Sequence, residues 1–193
     1  MKLIFIRHGQ TVGNIEKTHQ GQSDGELTEL GWEQARKVAV KLKDENIDYI
    51  YSSDLGRAAN TAKEIAKFHP DTPIEFVKSL REKYMCADWH GMPHVEIGKL
   101  IDLHGLPEGA ETPEKMVLRV QNFFNSVYTK HKNDIVLFVA HGGVGKAILI
   151  ILRKLHASKF PEIEHVSNTS ISMFEVNDDG HETLMLDNTS HLD

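Results

Sequence analysis

The chain has 193 residues, 40% hydrophobic and 26% charged, which is the profile of a globular domain of ordinary size. Its net charge of -6 (28 acidic against 22 basic residues) argues against a general affinity for nucleic acid or an anionic membrane, so any anion site must be a local concentration of positive charge. A single cysteine, Cys86, excludes an internal disulfide and fits a reducing compartment. The first apolar run ends on Arg7 and lacks the layout of a signal peptide, and the longest, near Ala147, is far short of the ~20 residues needed to span a bilayer. The expectation is a cytoplasmic protein.

Residues 2–7 form a near-continuous apolar run, as expected for a strand buried on both faces, and the chain then reads Arg7-His8-Gly9-Gln10-Thr11. A polar loop through Asn14, Gln20, Gly21 and Asp24 follows. Thr28 opens a helix to about residue 43, with Leu30, Ala35, Val38, Ala39 and Leu42 at helical spacing. Residues 47–51 read as a strand, and Asp54 as the cap of a helix carrying Ala58, Ala62, Ile65 and Ala66 on one face. A short strand is expected at 74–77. The stretch 80–110 is irregular, rich in glycine and proline, with one short helix near 95–103. Thr112-Pro113-Glu114 starts a helix that runs to about residue 131. Residues 135–140 form a second buried strand, which ends on His141-Gly142-Gly143, and an apolar helix spans 143–155. Two last strands flank Asn177-Asp178-Asp179-Gly180, a hairpin turn. The alternation predicts an α/β fold: a three-layer αβα sandwich with a mostly parallel central sheet and an antiparallel edge, as a single domain over 1–193.

If the strands ending at Arg7, Tyr51 and Ala140 are parallel, their C-terminal ends share one edge of the sheet, where α/β proteins bind ligands. His8, His141 and Arg57 then converge there with Arg7. Such a constellation suits a phosphoryl group. Arginine matches phosphate oxygens in a two-pronged way, and a neutral imidazole nitrogen can attack phosphorus to form a phosphohistidine. Nearby arginines favour that neutral form. His141, if protonated, would clamp the phosphoryl oxygens. Glu82 lies in the irregular stretch beyond the short strand, where a carboxyl group can protonate the leaving alkoxide and then activate water. The scheme requires no metal and no cofactor. His90 and His94 are separated by glycine and proline, against a shared helical face, and Ala140 to Ala147 lacks two residues of a nucleotide P-loop.

The chain resembles the histidine phosphatase superfamily on its phosphoglycerate-mutase-like branch. The resemblance runs from Lys2 to about Ser170. It is carried by Arg7-His8-Gly9-Gln10 with Asn14, Gln20-Gly21, Leu27-Thr28-Glu29-Leu30-Gly31, Ser52-Ser53-Asp54-Leu55-Gly56-Arg57-Ala58 with Thr61, Leu80-Arg81-Glu82, Trp89-His90-Gly91, Gly109-Ala110-Glu111-Thr112, His141-Gly142-Gly143 and Asn168-Thr169-Ser170. It implies His8 as the phosphorylated nucleophile and Glu82 as the acid and base. Arg7, Arg57 and His141 would bind the phosphoryl oxygens, assisted by Asn14, Gln20, Gly21 and the backbone N–H of Gly142.

The chain departs from the mutase pattern after the glutamate. Lys83-Tyr84-Met85-Cys86-Ala87-Asp88-Trp89 replaces a histidine-tyrosine-glycine run, the usual glycine before the tryptophan is missing, and the chain is shorter. This favours a phosphomonoesterase acting on a small phosphorylated metabolite. The alternatives are a cofactor-dependent phosphoglycerate mutase and a non-catalytic phospholigand-binding module on the same fold. Specificity is expected from residues 12–26 and 84–104, with Tyr84, Met85, Trp89 and Met92 as candidate lining residues. The sequence carries no reading of the exact substrate or of the oligomeric state.

Overall fold

The computed structural model describes residues Met1–Asp193. Its elements, in chain order, are β1 (Lys2–Arg7), α1 (Val12–Ile15), α2 (Glu29–Leu42), β2 (Tyr49–Ser53), α3 (Gly56–Ala66), β3 (Ile74–Val77), α4 (His94–His104), α5 (Pro113–Lys130), β4 (Ile135–Ala140), α6 (Gly142–Leu152), β5 (Ile171–Val176) and β6 (His181–Asn188). One six-stranded sheet has the order β3-β2-β4-β1-β5-β6. The first four strands of that order are parallel, and β5 and β6 form an antiparallel edge. The expected architecture holds. No helix is long and apolar enough to cross a membrane.

The period of two along each strand sorts side chains into two cores. Leu3 and Phe5 of β1, with Val136 and Phe138 of β4, join the larger core of 23 buried residues under α5 and α6. Ile4 and Ile6, with Leu137 and Val139, join a core of 12 buried residues under α2 and α3. Burying each such side chain contributes roughly 1.5–3 kcal/mol, and β1 and β4 are covered on both faces.

Several local expectations are corrected. β2 begins and ends two residues later than the 47–51 expected, and α6 stops at Leu152. Leu30 is exposed, and Gly31 takes the inward position on α2 because the helix start packs against the backbone of Gln10. Asp54 does not cap α3; Leu55 stands at that position without a side-chain cap. The Asp54 carboxylate instead receives a two-pronged contact from Arg81, at 2.6 Å on each oxygen. That charge-assisted pair is stronger than a neutral cap bond.

Candidate active site

Register decides how the two histidines meet. Arg7 of β1 lies opposite Ala140 of β4, so the next residue on each strand, His8 and His141, leaves the sheet side by side. Their ring centroids are 5.2 Å apart, and both are buried. On the other side of β4, Ser52 of β2 lies opposite Val139, which brings Ser53 level with the end of β4. The Ser53 hydroxyl contacts His141 Nε2 at 2.8 Å. Leu55 N–H donates to the same oxygen, so the hydroxyl can donate to Nε2 and hold the ring proton on Nδ1, which has no partner in the protein.

His8 Nδ1 lies 2.7 Å from the carbonyl oxygen of Gly9. A carbonyl only accepts, so Nδ1 carries the proton and Nε2 presents its lone pair. Burial, then Arg57 and Arg7, hold the pKa of His8 well below the ordinary 6.5. The ring is therefore neutral and nucleophilic near pH 7. The turn after it is fixed by Thr61, whose hydroxyl accepts from Gly9 N–H at 3.1 Å and donates to the Arg57 carbonyl at 2.8 Å. Asn168 donates to the His8 carbonyl at 2.8 Å and to Asn14 Oδ1 at 3.2 Å.

The clamp role of His141 is conditional on protonation, which the surroundings of the ring oppose. Burial, then Arg57 and His8, push its pKa well below 6.5 as well. It can serve as a neutral N–H donor, while the positive charge of the site is carried by the arginines.

Arg57 follows Gly56 at the start of α3 and is 1% exposed. It donates to the carbonyls of Ser23 and Gly21, each at 2.8 Å. Gly21 has φ +50°, a left-handed conformation that glycine adopts without strain and that lets the first loop fold over the guanidinium. Burial pushes the Arg57 guanidinium down to about 10, where it stays charged at neutral pH. Arg7 donates to Val166 O at 2.8 Å and to His165 Nε2 at 3.1 Å. Neither arginine pairs with a carboxylate, whereas Arg81, Arg119 and Arg153 all do. Two desolvated cations held only by neutral acceptors make an anion site, because an arriving anion supplies the charge that the protein withholds.

A cavity of about 300 Å³ opens on this cradle, lined among others by Arg7, His8, Asn14, Gln20, Arg57 and Glu82. Gly21 and Gly142 also line it, so every expected site residue except His141 reaches the cavity wall; His141 is fully buried beside His8. Asn14 spends its side-chain carbonyl on Thr11 N–H at 3.1 Å and on Asn168, which leaves its amide as a donor. Glu82 sits at the start of α6: Oε2 accepts from Gly143 N–H at 3.1 Å and Oε1 from Lys83 N–H at 2.7 Å. The departures around it leave it well anchored, with Gln22 donating to its carbonyl at 3.0 Å.

Both expected specificity segments reach the wall, through Thr18 and His19 from the first and Met85 and His94 from the second. Tyr84 lines an adjoining pocket, and Trp89 and Met92 line neither. Sequence reasoning gave no role to His165, Gln22 or Asn168. Asn168 lay within a quoted motif, whereas His165 precedes β5 in a stretch with no pattern to mark it.

A family model described as the histidine phosphatase superfamily (branch 1) matches residues 3–189. The chain belongs to that superfamily. Phosphoglycerate mutase-like protein 4 of Arabidopsis thaliana is 30% identical, over 100% of this chain and 87% of the relative. Phosphoserine phosphatase 1 of Hydrogenobacter thermophilus is 31% identical, over 100% of this chain and 94% of the relative. Among solved structures, phosphoserine phosphatase from Entamoeba histolytica in complex with 3-phosphoglyceric acid superposes with a TM-score of 0.84. It is 28% identical, covering 99% of this chain and 98% of that one. Superfamily membership and the fold both agree with the sequence reading.

Proposed function

We propose that this chain is a phosphomonoesterase that hydrolyses small phosphate esters through phospho-His8. His8 Nε2 attacks phosphorus, and the bond to the leaving oxygen breaks as Glu82, entering the step as the acid, gives that oxygen its proton. The Glu82 carboxylate then takes a proton from water, the water oxygen attacks phosphorus, and the N–P bond breaks to release phosphate. Arg7, Arg57, the His141 N–H and the free N–H of Gly142 stabilise the charge on the equatorial oxygens, with Asn14, Gln20 and Gly21 shaping the cradle.

The observation that carries this reading is two guanidinium groups without carboxylate partners, Arg57 fully buried and Arg7 partly so, beside an imidazole whose free nitrogen is Nε2. A single domain over 1–193 and a cytoplasmic location are part of the proposal, supported by the one continuous sheet and the lone cysteine. Incubation with an aryl phosphate labelled in its phosphoryl group, quenched in base, is expected to trap labelled protein. His8→Ala is expected to lose both label and turnover; appreciable hydrolysis by that variant would overturn the proposal. Incubation with 3-phosphoglycerate is expected to yield free phosphate, whereas accumulation of the 2-isomer would identify a mutase.

A further inference from the structure

The hydrogen bonds of Arg7 decide which edge of its guanidinium faces the cavity. Both hydrogens of Nη1 are committed, one to Val166 O at 2.8 Å and one to His165 Nε2 at 3.1 Å. Nε is shut away from solvent and has no partner, and Nη2 makes no hydrogen bond within the protein. The unspent edge is therefore the Nε–Nη2 fork. Arg81 and Arg119 use that same fork to grip the carboxylates of Asp54 and Glu111, at 2.6–2.7 Å. In Arg7 it is left for an arriving anion.

His165 is one of the two groups that fix this orientation, and its own position is constrained. Its ring lies against the open face of Gly142, where a Cβ would enter it. The chain beyond it is tied down residue by residue. Val166 is buried, and Ser167 donates through its N–H and hydroxyl to the two Asp187 carboxylate oxygens at 2.6 and 3.1 Å. Asn168 donates to the His8 carbonyl, and Thr169 N–H to Arg7 O at 2.9 Å. His165 thus begins a strap fastened across the end of β1.

A guanidinium only donates, so the Nε2 that meets it carries a lone pair and the ring proton sits on Nδ1. Protonation would turn Nε2 into a second donor aimed at a cation. The charged and titratable groups facing the ring are Arg7 and His8 at the end of β1, Lys146 on α6, Glu82 from the irregular stretch and Asp187 on β6. Both carboxylates are occupied, Glu82 by two backbone N–H groups and Asp187 by Ser167, so neither is free to receive an imidazolium. His165 is exposed, which gives solvent protons access to it. Desolvation, then Arg7 and Lys146, lower its pKa from 6.5, so the ring is neutral at pH 7 and above.

We propose that His165 is a positioning residue for Arg7 and a proton-operated latch on the phosphoryl cradle. The neutral ring fixes Nη1 and turns the Nε–Nη2 fork toward the phosphoryl oxygens; the protonated ring releases it. The latch is closed above the pKa of His165 and opens as pH falls through it. The inference rests on the phosphatase reading, in which Arg7 stabilises the transferring group.

The experiment measures kcat/KM for p-nitrophenyl phosphate between pH 8 and 5.5 in the wild type, His165→Leu and His165→Gln, with melting curves at each pH confirming folded protein. Leucine removes the acceptor, and glutamine supplies a carbonyl acceptor that does not titrate. At pH 8, His165→Leu is expected to lose about 3- to 10-fold and His165→Gln less than about 2-fold. The ratio of wild type to His165→Gln, in which substrate ionisation cancels, is expected to fall by about 3-fold or more on going from pH 8 to 5.5. In an Arg7→Lys background, which has no fork to orient, His165→Leu is expected to change the rate by less than about 2-fold. A smaller loss in His165→Leu, no rescue by glutamine, a ratio independent of pH, or the same loss in the Arg7→Lys background would each overturn the inference. Hydrolysis that depends on His8 but is indifferent to His165 would leave the phosphatase reading intact; no hydrolysis by the wild type would remove that reading too.

Discussion

Individual side chains set the chemistry through which atoms they leave free. His8 has one nitrogen committed to Gly9 and one available, and Arg57 and Arg7 are held by carbonyls that cannot neutralise them. Arg57→Lys keeps a charge but loses the fork that reaches Gly21 and Ser23, and is expected to lower kcat/KM by about 10²–10³. Steady-state assay with p-nitrophenyl phosphate checks this, and a loss below about 3-fold would argue against direct phosphoryl contact. Glu82→Gln preserves size but removes the proton. It is expected to slow alkyl esters far more than activated aryl esters, because only the former need protonation of the leaving oxygen. Equal slowing of both would remove Glu82 from the acid role.

Elements supply the close approaches that hold those side chains. α6 begins with two glycines because each lies against a functional side chain: a Cβ on Gly142 would enter the His165 ring, and one on Gly143 would strike Glu82. Gly143→Ala is therefore expected to push Glu82 away from the helix start and to reproduce the leaving-group dependence of Glu82→Gln in weaker form. The same alkyl-to-aryl comparison reads it out. At the start of α2, Gly31 packs on the backbone of Gln10, which follows the nucleophile by two residues. Gly31→Ala forces one of the two backbones to shift and is expected to cost about 1–3 kcal/mol, measured by urea denaturation. The failed expectation for Asp54 belongs to this scale as well. A local cap and a partner 27 positions away competed for one carboxylate, and the guanidinium took both oxygens.

Across the whole molecule, the buried histidines couple stability to pH. His8 and His141 are held well below 6.5, whereas in the unfolded chain each titrates near that ordinary value. As pH falls through 6.5, the unfolded state takes up protons that the folded state refuses, so stability falls; above that range the contribution is flat. His19, His69, His94, His165 and His191 are shifted the same way and add to the slope. The melting temperature is expected to be level from about pH 8 to 7 and to drop steadily below about 6.5, with a shallower drop in His8→Asn. A melting temperature independent of pH between 8 and 5 would contradict the buried neutral pair.

The sequence by itself determined the sheet, the two strand-to-histidine turns and the presence of Arg57 at their mouth. A strand buried on both faces must be apolar along its whole length, so β1 and β4 announce themselves locally, and the residues just past their ends have one place to go. The hydrogen-bond partners of each ring and the convergence of Thr18, His19, Lys83 and His94 on one cavity were decided only by tertiary structure. Those features depend on burial and on partners that are distant along the chain. No local pattern encodes which carbonyl will meet a guanidinium, or which loop will pair with another.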